Sequence, residues 1–113
     1  MRITGTDIAM IRGDTESLRI CVEKPNKEKL FLEEGDKIYF TVKASSKTDE
    51  KMIQKIITTF SNGEAVIKIE PEDTKDFGFQ TYYYDIQLNR SNGDVKTIVP
   101  VSRFEMEEEI TFE

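Results

Sequence analysis

Histidine and tryptophan are absent from this chain, cysteine occurs once and proline three times. Without histidine the chain lacks the commonest general base and the commonest metal ligand. The lone Cys21 leaves no intrachain disulfide. That excludes a disulfide-built extracellular scaffold and points to folding in a reducing cytosol. Long hydrophobic runs are missing too: none approaches the roughly 20 residues of a membrane span. Met1 to Thr6 carries no apolar signal core, so secretion by a signal peptide is not expected. Basic residues are outnumbered, 16 against 22 acidic ones, giving a net charge of −6. This argues against a nucleic-acid partner and against docking on an anionic membrane surface. Solubility is the simplest reading of the charge.

What is present suffices for one folded unit. The chain has 113 residues, 37% hydrophobic and 34% charged, too apolar for disorder and long enough to bury a core unaided. We expect a single domain over residues 1–113. The pattern is organised around Gln80 to Arg90. Tyr82, Tyr84, Ile86 and Leu88 alternate with Thr81, Tyr83, Asp85, Gln87 and Asn89, the period of a strand with one buried face. Lys37 to Lys43 repeats it, with Ile38, Phe40 and Val42 inside and Tyr39 and Thr41 outside. Leu18, Ile20 and Val22 alternate within Thr15 to Glu23. Ala65, Ile67 and Ile69 alternate within Glu64 to Glu70. Thr6 to Arg12 reads as an edge strand. Leu30 to Leu32 is either a small strand or a loop plug over the core. Lys51 to Phe60 fits a helical stripe as well as a strand; its Ile-Ile-Thr-Thr run and the following turn favour strand. Asn62-Gly63 and Asn92-Gly93 are hairpin-turn signals. Pro71 to Gly78 reads as a helical turn, with proline at its start and acids in its first turn. Pro100 places Val95 to Val101 at an edge or a bulge. Arg103 to Met106 resumes the strand, and Ile110 and Phe112 would extend a last short one. Seven or eight short strands with frequent turns imply an all-β, immunoglobulin-like antiparallel sandwich. Tyr82 is then the residue expected to bond back across the preceding turn, with Tyr84 second.

No catalytic constellation emerges, so a non-enzyme without cofactor or metal is expected. Arg12-Gly13-Asp14 spells an integrin-binding tripeptide but stands where a turn is needed. Glu72, Asp73 and Asp76 match no calcium loop and read as helix-start acids. Glu105 and Glu107 to Glu109 read as a solvated face. Cys21 falls on the polar side of its strand. Tyr39 and Tyr83 point outward and form either a partner or sugar-stacking patch or a plain cross-strand pair. Ile8, Met10 and Ile11 lie on a strand with no proline and no internal charge, an unguarded edge open to pairing.

The order of Arg12-Gly13-Asp14-Thr15, Gly35 to Lys43, Lys55-Ile56-Ile57, Ile67 to Lys75, Tyr82 to Leu88 and Gly93 to Ile98 resembles small phage tail and baseplate modules of Gram-positive prophages. It is similar to the immunoglobulin-like N-terminal domain of baseplate upper proteins, although Phe77-Gly78-Phe79-Gln80 makes a longer, more apolar approach to the tyrosine strand than that family commonly has. The resemblance implies a non-catalytic structural module of a virion tail, made in the bacterial cytoplasm. Its partners would be proteins, either further copies of itself or other tail components. The rival reading is a carbohydrate- or surface-binding sandwich using Tyr39, Tyr83 and loop acids; an enzyme accessory domain is a third.

Overall fold

The computed structural model describes residues 1–110. They form β1 (Arg2–Thr4), β2 (Asp7–Ile11), β3 (Glu16–Ile20), β4 (Val22–Glu23), β5 (Lys29–Leu30), β6 (Lys37–Lys43), β7 (Ile53–Ile57), β8 (Ala65–Ile69), α1 (Pro71–Thr74), β9 (Thr81–Asn89) and β10 (Val95–Glu107). The fold is an all-β sandwich. A six-stranded sheet in the order β1-β2-β10-β9-β6-β7 lies over two small ribbons, β3-β8 and β4-β5. Every pairing is antiparallel except β2 with β10.

Alternation dictates the core. Ile38, Phe40, Ile67, Ile69, Tyr82, Tyr84, Ile86 and Leu88 are all buried, as the period-two pattern requires. Phe40 lies 5.5 Å from the Tyr84 ring and 6.3 Å from Phe104, centroid to centroid, within the range of favourable aromatic pairs. Leu18 from β3 and Leu32 close the same core from the other layer. Within residues 51–60, Ile53–Ile57 form strand β7, and no helix forms there. The 30–32 segment does both things expected of it. Leu30 ends β5, Leu32 plugs the core, and Phe31 between them is exposed.

Three expectations change. The described residues hold ten strands: the three-residue β1 is unexpected, and the expected Thr15 to Glu23 strand divides at Cys21 into β3 and β4, which join different ribbons. Asn62 and Gly63 take positive φ of 54° and 73°, the geometry of a tight hairpin turn. Yet β7 and β8 on either side do not pair with each other; the turn carries the chain between layers. At the second turn only Gly93 is left-handed (φ 97°), and it joins a true hairpin, β9-β10. Val95 to Met106 runs as one strand that resumes after Pro100, as expected. Its register shifts between Thr97 and Ser102, which accommodates Pro100 as a bulge. Ile110 is fully exposed outside any strand, and Phe112 lies outside the described residues.

The largest correction concerns Ile8, Met10 and Ile11. β2 is not an edge. Its inward side chains Ile8 and Met10 are 2% and 1% exposed. They pair in register with Phe104 and Met106 of β10, so four large apolar groups close one end of the core. Polar contacts pin the start of the strand. The Arg103 N–H donates to Asp7 Oδ1 at 2.9 Å, the Thr6 and Ser102 hydroxyls are 2.7 Å apart, and the Tyr84 hydroxyl donates to the Thr6 carbonyl. Gly5, at φ 62°, then lets β1 fold back over the other edge of β2. Ile8 and Met10 are therefore unavailable to a partner; Ile11 stays 40% exposed at the strand end.

The turn before β9 is built as expected. Pro71 opens α1, and the Glu70 N–H donates to Asp73 Oδ2 at 2.7 Å. The Tyr82 hydroxyl accepts from the Gly78 N–H at 2.8 Å and faces the Gly78 carbonyl at 3.3 Å. This locks the crossing onto the tyrosine strand.

Candidate functional site

The two tyrosines expected to point outward share one surface, the solvent face of β6 and β9. On β6 that face shows Tyr39, Thr41 and Lys43; on β9 it shows Tyr83, Asp85 and Gln87. All six are half-buried, so the face is recessed. Tyr39 stands opposite Gln87, Thr41 opposite Asp85 and Lys43 opposite Tyr83. The rings are therefore not a cross-strand pair. Four residues of strand separate them, about 13 Å at the usual rise. Gln54 of β7, opposite Thr41, donates to the Thr41 hydroxyl at 3.2 Å. Lys51 and Ser46 from the loop between β6 and β7, and Val101 from the β10 bulge, complete a groove of about 250 Å³. Among the described residues, Lys43, Lys51 and Asp85 take part in no ion pair.

The sheet is open. Its outer strands are β1 and β7, each with one unpaired backbone edge among the described residues. Ile3 on β1 is 55% exposed and Ile56 on β7 48%. These edges, rather than β2, are where another strand could be added.

The remaining candidates resolve into structural contacts. Gly13 is left-handed (φ 86°), and its N–H donates to the Thr74 hydroxyl at 2.9 Å. Arg12 forks onto Glu109 at 2.7 and 3.1 Å, reaches the Phe77 carbonyl at 3.1 Å and lies 4.3 Å from the Phe79 ring centroid. The tripeptide is a turn whose arginine is held against the protein. Arg2 grips Glu107 in the same bidentate way, at 2.7 and 3.2 Å. Both glutamates are held below the usual carboxylate range, chiefly by those hydrogen bonds. Of the terminal acids, Glu107 and Glu109 are thus clasps, whereas Glu108 is exposed, as a solvated face requires. Asp73 closes the helix start and pairs with Lys55 at 2.8 Å. No group of three or more acidic or thiol side chains among the described residues is placed to hold a metal ion. Cys21 is exposed, as its strand face implied.

Sequence reasoning missed Asp36. Its Gly35-Asp36 context reads as a turn, yet its side chain is fully buried. It accepts from the Glu33 N–H at 2.9 Å, the Ser91 N–H at 2.9 Å and Arg90 Nε at 3.2 Å. Burial pushes its carboxyl up, but these donors outweigh burial and leave it below the ordinary value. Asp36 staples the turn before β6 to the β9-β10 turn.

Compared with known proteins, the chain matches no protein-family model, and no curated protein matches it.

Proposed function

We propose that this chain is a non-catalytic assembly module of a phage tail or baseplate, an immunoglobulin-like sandwich that joins protein neighbours by strand pairing. The observation that carries the reading is the outer strand β1. It is three residues long, its backbone edge is unpaired, and Ile3 is exposed upon it. A strand from another subunit gains main-chain hydrogen bonds there and an apolar side chain to cover. The displaced carboxylates support a structural reading. Asp36, Glu107 and Glu109 bind backbone amides or arginines that join separate segments. Glu64 does the same, held below the usual range first by Lys29, at 2.8 Å.

The partner is a further copy of this chain or another tail protein, and the assembly takes place in the cytoplasm where the tail is built. With a net charge of −6, copies repel one another, so self-association tightens as salt screens them. The test is incorporation into particles. Tails purified from an induced prophage carrying this gene should contain the wild-type chain and be depleted of Ile3→Lys, whose isolated stability stays within about 0.5 kcal/mol of wild type, as for other surface changes. Tails that lack the wild-type chain refute the tail reading. Equal incorporation of Ile3→Lys refutes the β1 contact.

A further inference from the structure

We propose that the groove on the solvent face of β6 and β9 binds an acidic oligosaccharide, a chain of pyranose rings bearing carboxylates. This site is separate from β1 and does not rest on the assembly reading.

A pyranose offers a flat C–H face ringed by hydroxyls, so its receptor needs an aromatic face with planar polar groups beside it. The groove supplies both. Tyr39 and Tyr83 are the aromatic faces, amphipathic groups suited to a half-wet surface. Gln87 stands opposite Tyr39, and Asp85 lies between the two tyrosines along β9. Gln54, bound to Thr41, flanks them on β7. Each amide both donates and accepts, and the carboxylate accepts two or more hydroxyls. The separation of about 13 Å between the tyrosine positions suits a short oligosaccharide, not a single ring. The recess suits a ligand laid along the strands.

Charge selects the acidic class. Lys43 is the cross-strand neighbour of Tyr83, and Lys51 lines the same groove. Among the described residues neither takes part in an ion pair, in a chain with an excess of acids. A sugar stacked on Tyr83 therefore brings a ring carboxylate beside the Lys43 ammonium.

The test is a titration of isotope-labelled protein, followed by backbone amide NMR, with tetragalacturonate and with uncharged cellotetraose. Tetragalacturonate should shift the amides of Tyr39, Thr41, Asp85 and Gln87 and bind several-fold more tightly than cellotetraose. Tyr83→Ala should weaken binding about tenfold. Lys43→Gln should reduce the preference for the uronate, and Lys43→Gln combined with Lys51→Gln should remove it. Each substitution lies in the solvent-facing groove, and unchanged spectra and melting curves establish that each variant folds. Absence of shifts in the groove with either sugar at millimolar concentration overturns the site. So does wild-type binding by both Tyr39→Ala and Tyr83→Ala. A uronate preference that survives in the double variant, or equal binding of the two sugars by wild type, overturns the acidic assignment.

Discussion

Removing the Asp36 carboxylate should be among the costliest polar changes in this chain. In Asp36→Ala the N–H groups of Glu33 and Ser91 lose their acceptor, and Arg90 loses its counter-ion. An orphaned buried donor costs about 1–3 kcal/mol, and breaking a buried charged pair about 3–5 kcal/mol. The two overlap, and Arg90 is 24% exposed, so water takes over part of its solvation. The expected loss is about 3–4 kcal/mol, which lowers Tm by about 10–20 °C in a domain of this size. Urea melts followed by far-UV circular dichroism measure it. Asp36→Asn keeps one acceptor oxygen but loses the charge, so it should fall between. Gly35→Ala strikes the same junction sterically: Gly35 has φ +95°, and a Cβ there would meet Ser91 Cβ at 2.8 Å. The pH dependence follows from the depressed carboxyl. Its stabilisation is complete above the unfolded value, about 4, and is lost as pH falls through the lower folded value. Asp36→Asn should therefore flatten the acid limb of the stability curve below about pH 4. A loss under about 1 kcal/mol in Asp36→Ala, or an unchanged acid limb in Asp36→Asn, would refute the staple.

Phe40→Ala should cost about 3–5 kcal/mol, since the ring is fully buried among Tyr84 and Phe104, whereas Tyr83→Ala on the solvent face should cost under about 1 kcal/mol; equal losses in parallel urea melts would show both faces to be covered. Burial, and then the nearby charge of Asp7, push the Tyr84 phenol up to about 12 from 10.0. Its protonated form is the one the fold favours, so stability holds below about pH 10 and declines as pH rises towards about 12. Tyr84→Phe should remove that part of the decline in melts taken along the alkaline series.

Alternation determines which side chains face inward, and that is why the core could be read almost residue by residue. It does not determine which strand lies beside which. Ile8, Met10 and Ile11 look like an unguarded edge because no proline and no internal charge interrupts them. They pair with Phe104 to Glu107, nearly the whole chain away, and an apolar strand without guards is what a sheet interior requires. The guarded strand and the interior strand differ by their neighbours, and neighbours are a property of topology. For the same reason the Asn62-Gly63 signal correctly gave the turn but not its consequence. A left-handed pair of residues reverses the chain whether the next strand joins the same sheet or the opposite layer.

The outward face follows the same logic one level higher. Period two places Tyr39 and Tyr83 on the wet side, but only the register of β6 against β9 sets them four positions apart, with Thr41, Asp85, Lys43 and Gln87 along the same two strands. A one-residue slip of either strand would have turned its own ring inward, and a different stagger would have stacked them into the ordinary cross-strand pair. The acids show the converse. Glu107, Glu109 and Asp36 have no pattern of their own, so by composition alone each reads as solvated surface or turn. They become clasps because Arg2, Arg12 and the β9-β10 turn arrive beside them, and the chain ends are tied to the sheet by charge that looks surplus in the sequence.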